Sequence, residues 1–240
     1  MRAFAPVFLA AIVAAAPANA VSNYVECANF ATIDPEKTLV DAQEWYDATG
    51  DVGARHCMAI AQAELGAHRT AANTLMEVAN AGIDKDARIS TLVEATRQWR
   101  LAGAMEAARS TIDSAIRIAP APIALIERAS LLGEERDWEG ALADLDRVVA
   151  ASPRDAEALT LRSAARLRLD DKEGARRDAL QAIENRPVSS AAWYQLGLAE
   201  HAMGLKNAAR RSWLKAIDVA PGGRPAALAR GALQDMDGGG

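Results

Sequence analysis

Proline recurs through the second half of this chain at one interval. Pro120, Pro153, Pro187 and Pro221 are almost evenly spaced. Proline lacks the N–H that a helix interior needs, and it disfavours helical backbone in the residue before it. A proline at a fixed period therefore cuts the chain into units of one length, and two helices of roughly a dozen residues fill such a unit with their turns.

Numbering each unit so that proline falls at position 32 brings other residues into register. The unit from Ser190 has Trp193 at position 4, Leu196 at 7, Gly197 at 8, Gly204 at 15, Ala209 at 20, Trp213 at 24 and Ala216 at 27. The unit from Ala156 repeats the pattern with Leu159, Ser163, Ala175 and Ala182, and the unit from Pro122 with Leu125, Ala129, Leu132, Ala141 and Leu145. The unit from Ile89 places Leu92, Trp99, Gly103, Ala108, Ile112 and Ala115 at 4, 11, 15, 20, 24 and 27. A weaker unit near Val52 keeps Ala59, Gly66, Ala71 and Leu75 but lacks the proline. Positions 4, 7, 8 and 11 share one face of a helix, and 20, 24 and 27 share a face of a second. Small residues at 8 and 20 let the helices approach closely, and large ones at 4, 11 and 24 fill the space beside them. Glycine at 15 supplies the left-handed residue that ends the first helix. One hairpin cannot bury its own apolar face, so such units stack.

Composition agrees. Half the residues are apolar, with only three Phe and three Tyr, and strand-like runs are few. The formal charge is −5, and the segment from Met1 to Ala20 carries Arg2 and no acid, leaving −6 on the rest. An acidic chain without a long basic run is a poor binder of nucleic acid.

The repeat resembles the tetratricopeptide repeat family, closely over 190–221, well over 85–221 and loosely over 52–84. The resemblance implies an all-α fold, a right-handed superhelical solenoid of stacked antiparallel hairpins. About five hairpins are expected over 52–221, preceded by a helical cap over 21–51. Within 222–240, a closing helix from Pro225 to Met236 and a mobile glycine tail are expected. Arg128 and Arg162 depart from the family pattern, which favours Leu at position 7, and are expected to snorkel at the hairpin edge in looser units.

The opening segment, "MRAFAPVFLAAIVAAAPANA", has a charged start, an apolar stretch and an Ala18-Asn19-Ala20 site. That is the pattern of a cleaved secretory signal. The apolar run falls short of the ~20 residues of a membrane-spanning helix, so a secreted or periplasmic chain without membrane insertion is expected. Export gives meaning to the two cysteines, Cys27 and Cys57, which are expected to form a disulfide in an oxidising compartment. Neither lies in a C-x-x-C motif, as a redox or metal role would suggest.

Phosphate-binding, dinucleotide-binding, zinc-protease and nucleophile-elbow motifs are absent from the sequence. The three histidines are scattered, and the carboxylates sit at solvated helical spacing. The chain is therefore expected to be no enzyme and to need no cofactor or metal. Trp99, Trp193 and Trp213 fall at core positions of the repeat; Trp138 lies between two helices, and Trp45 precedes the repeats.

In the resembled family, first-helix positions 2, 5, 9 and 12 line a concave groove. Carried over, that face is drawn from His56, Ile60, Val93, Arg97, Arg100, Ile123, Ile126, Ser130, Thr160, Tyr194, Leu198 and His201. Ile123, Ile126, Tyr194 and Leu198 are apolar where the hairpin itself does not bury them, which suits a protein or peptide partner. Family members that clamp a chaperone's C-terminal carboxylate use Lys, Asn and Arg at positions 5 and 9; here only Arg97 fits. The expected function is a non-catalytic protein-interaction scaffold of the cell envelope. An accessory subunit of a cell-wall or cytochrome-maturation complex would use the same surface. A structural reading would have the groove filled by the chain's own terminal helix or by a second copy.

Overall fold

The computed structural model describes residues 23–238, so the expected signal segment and cleavage site, the first two residues of the expected cap, and Gly239 and Gly240 lie outside the described residues. Every regular element among the described residues is an α-helix. Two compact units divide the chain after Ala67. This boundary falls inside the weakest sequence unit, placing its first helix in the N-terminal unit and its second in the C-terminal one.

The N-terminal unit contains α1 (Tyr24–Phe30), α2 (Pro35–Thr49) and α3 (Val52–Glu64). Asp34 caps α2, with Pro35 in its first turn, and Gly50 ends it at φ 66°. The disulfide between Cys27 and Cys57 joins α1 to α3, with 5.7 Å between their Cα atoms. Both cysteines are fully buried and share a small core with Ala42, against which Trp45 and Met58 pack. Trp45 is thus a packing residue of the cap.

The C-terminal unit begins with α4 (His68–Ala79) and continues as hairpins: α5 (Lys85–Leu101) with α6 (Met105–Ile118), α7 (Pro122–Glu134) with α8 (Trp138–Ala151), α9 (Ala156–Arg168) with α10 (Lys172–Asn185), and α11 (Ser190–Ala202) with α12 (Lys206–Val219). Helix α13 (Arg224–Gly238) closes the stack and runs past Met236, the end expected for it. The helices α6, α8, α10 and α12 each stop just short of a proline of the period. At position 15, Gly103 and Gly204 adopt φ of 70° and 77°, and Arg136 and Asp170 adopt the same left-handed backbone at 66° and 64°.

The positions that set the period also build the core. Ala108, Ala141, Ala175 and Ala209 at position 20 are at most 2% exposed. A Cβ added at Gly197 would lie 2.3 Å from the indole of Trp213, so glycine there is what admits the large residue at position 24. Trp193 is only half-buried; its indole N–H donates to the Pro187 carbonyl at 2.9 Å and covers the turn between units.

Arg128 and Arg162 do not sit loosely at an edge. Arg128 forks onto Asp144 at 2.7 and 2.8 Å and reaches Asp113 at 3.3 Å; Arg162 forks onto Asp178 at 2.8 Å and reaches Asp146 at 3.0 Å. Each arginine is thus held by position 23 of its own hairpin and position 25 of the one before. Hydrogen bonds that the arginines donate to these aspartates, against the opposing effect of burial, hold both guanidinium pKa values above the ordinary arginine range. The last hairpin replaces this motif with Leu196 and Ser212.

Candidate functional site: the inner face of the hairpin stack

Within the C-terminal unit, each first helix of a hairpin packs on the next: α5 on α7, α7 on α9, α9 on α11 and α11 on α13. The second helices show no comparable contact with one another. The first helices therefore form the inner wall. Helix α13 starts one full period after α11 and packs on α11 and α12, as α11 packs on α9 and α10. It continues the wall instead of lying across it.

That packing corrects part of the expected groove. Val93 is completely buried, in one core with Leu92, Trp99 and Ile112. Ile126 is 8% exposed and belongs to the core of α7, α8 and α9. Thr160 is also 8% exposed, and its hydroxyl donates to the Ala156 carbonyl. The physical reason is the neighbouring first helix, which covers much of position 5; the hairpin alone does not. Ser130 is half-buried and donates to the Ile126 carbonyl at 3.1 Å. Ile123 keeps 41% exposure in the first turn of α7. His201 is exposed in the last turn of α11, 5.5 Å from the Trp213 ring. Tyr194 and Leu198 are half-buried, packed against a cluster of Ala209, Trp213, Ala216 and Ala229. Burial pushes the Tyr194 phenol pKa up, and the charge of Arg168 opposes that shift.

The two arginines of the expected face are engaged across the wall. Arg97 donates to Glu127 at 2.7 Å, and Arg100 bridges Glu127 and Glu134, joining α5 to α7. Burial disfavours the Arg100 charge, yet hydrogen bonds to Glu134 and Glu127 outweigh it and raise its pKa. These arginines hold the wall together. His56 and Ile60 lie on α3 of the N-terminal unit; both are half-buried, and the His56 ring stacks on Tyr24 at 5.3 Å.

The fold is that of known repeat proteins. The MamA RS-1 ArsTM double mutant aligns with a TM-score of 0.58 at 20% identity, over 70% of this chain and 93% of that one. A second MamA structure gives 0.55 at 17%, over 68% and 94%. YrrB, described as a TPR protein with an unusual peptide-binding site, gives 0.54 at 16%, over 79% and 97%. The chain has the tetratricopeptide-repeat fold. No family model matches it, and no curated protein sequence matches it significantly.

Sequence reasoning on the tetratricopeptide pattern missed the turn end of the wall. A cavity of about 390 Å3 there is lined by Gly133, Glu134, Arg136, Trp138 and Arg168. Another of about 390 Å3 lies between α11 and α13, lined by Leu198, His201, Lys206, Trp213, Ala232, Asp235 and Met236. The available signal was position 15, where Arg136 replaces the glycine of two sister units. Among the described residues, no group of His, Cys, Asp and Glu could hold a metal ion, and no helix is long and apolar enough to cross a membrane.

Proposed function

We propose that the chain is an exported, non-catalytic scaffold that binds a protein or peptide segment along the inner wall of its hairpin stack. The observation that carries this reading is the place of α13: it extends the wall and leaves the face with Ile123 and His201 accessible. Tyr194 and Leu198 add a half-buried apolar step that an incoming side chain can complete. YrrB, a protein of the same fold, is described by a peptide-binding site, which supports a peptide as partner. Export rests on the N-terminal signal pattern, and the buried disulfide fits an oxidising compartment.

The test is affinity capture from the envelope fraction by the mature protein, with two variants in parallel. Ile123→Asp with Tyr194→Ala changes the inner wall; Arg177→Glu changes the outer face of α10. A partner retained by the parent and by Arg177→Glu, but lost with the wall variant, supports the reading. Loss with Arg177→Glu alone contradicts it. Mass measurement of the exported protein checks the signal: cleavage after Ala20 leaves Val21 first.

A further inference from the structure

The cavity at the α7–α9 turns has a chemistry of its own. Arg136 lines it from the turn after α7, and Arg168 from the last turn of α9. The Arg168 guanidinium lies 5.5 Å from the centroid of the Trp138 ring. Trp138 is in turn set against Gly133, where an added Cβ would meet the ring at 3.2 Å. The arginine is thus a cation over the face of an indole that cannot retreat towards α7. That position leaves the N–H edge of a guanidinium free to donate.

Neither cation has a carboxylate partner among the described residues. Arg128, Arg162 and Arg166, deeper in the same hairpins, each hold aspartates. Several acids that flank the cavity already hold partners. Glu134 lines it, but Arg100 takes both of its oxygens. Glu135 pairs with Arg109, Asp137 caps α8 at the Gly140 N–H, and Asp170 pairs with Lys172.

Backbone preference does not explain Arg136. It sits at φ 66°, where two sister hairpins place Gly103 and Gly204 and a third places Asp170, which unlike Arg136 has a partner in Lys172. Left-handed backbone costs a residue with a Cβ on the order of 1 kcal/mol relative to glycine. A side chain kept there at that cost, unpaired and lining a cavity, points to something outside the chain that pairs with it.

We propose that the cavity between the α7 and α9 turns is a subsite for the carboxylate of an acidic peptide segment, held by Arg136 and by the guanidinium fork of Arg168 over the Trp138 ring. The proposal rests on the inner-wall reading above and names the chemistry of its ligand. A guanidinium fork matches a carboxylate in two parallel hydrogen bonds, and an arginine already ordered by an aromatic ring loses less freedom on binding.

Fluorescence anisotropy on the full, disulfide-bonded mature chain tests it, with labelled hexaglutamate, hexaglutamine and hexalysine as probes. Hexaglutamate is expected to bind more tightly than the other two, and Arg136→Gly with Arg168→Gln to weaken it by about tenfold or more. Arg177→Glu should leave it nearly unchanged. Arg136→Gly relieves left-handed strain, so the melting temperature of that single variant should hold or rise, which separates lost binding from lost fold. Equal binding of hexaglutamate and hexaglutamine overturns the proposal, as does parent-like binding by the double variant. An equal loss with Arg177→Glu also overturns it, because the attraction is then a diffuse field. If the parent self-associates in sedimentation and the double variant does not, the cations serve a second copy and the proposal is again wrong. Capture that depends on Ile123 and Tyr194 while hexaglutamate ignores the arginines would sink the subsite and leave the wall reading standing.

Discussion

At the scale of single residues, Gly197 and Trp213 show how tightly the repeat is specified. Trp213 is 1% exposed and its indole lies where a side chain on Gly197 would begin. Gly197→Ala is expected to cost about 1–3 kcal/mol by overpacking, read as a fall in the thermal midpoint. The paired arginines give a second test. Arg128→Leu installs the apolar residue of the last hairpin but leaves Asp144, whose side chain is 4% exposed, with Arg147 at 3.7 Å as its remaining cation. Arg128 is itself partly solvated, so the expected loss is about 1–3 kcal/mol, below that for a wholly buried pair. Arg128→Leu with Asp144→Ser copies the Leu196 and Ser212 of the last hairpin and should recover most of that loss. A double variant as unstable as the single one would show that the site wants the charge pair for another reason. Ile126 cannot serve as a probe of binding: truncating so buried a side chain to Ala costs about 2–5 kcal/mol by itself.

At the scale of elements, the hairpins were legible because their signals are local. Proline at position 32, glycine at 15 and alanine at 20 act within one unit, and helix bounds from α5 to α12 follow them. The inner wall was only partly legible because its burial is set by the next unit. Val93, Ile126 and Thr160 look free within a hairpin and are covered by stacking. Arg136 and Asp170 were harder still, since nothing in their residue type announces left-handed backbone. Helix α13 packs through Ala229, Leu233 and Met236 and carries an exposed charge pair near its end: Arg210 on α12 donates to Asp237 at 3.2 Å through one nitrogen and holds the second oxygen with another. That hydrogen bond lowers the Asp237 pKa. A carboxyl with a lowered folded pKa adds stability above its unfolded value and loses it as pH falls through the folded one. The protection of amides at the end of α13, taken relative to their intrinsic exchange rate at each pH, should therefore be unchanged between neutral pH and mild acid. It should fall below the usual carboxylate range, and Asp237→Asn should remove the dependence.

At the scale of the whole molecule, the disulfide and the inner wall make separate claims. The bond between Cys27 and Cys57 closes a sequence separation of 30 residues and is expected to contribute roughly 3 kcal/mol to the N-terminal unit. Reduction should lower the stability of that unit, followed as loss of amide-exchange protection in α1, α2 and α3 of the unaltered chain. Two free thiols in unreduced exported protein would contradict the bond. The wall claim is tested most directly by hydrogen exchange on the mature chain bound to the partner captured from the envelope. The inner-wall assignment expects new protection on α7, α9 and α11 and on the turn that carries Arg136, with α8, α10 and α12 unchanged on their outer faces. Protection confined to α8, α10 and α12 would contradict it and place the partner on the outer face of the stack.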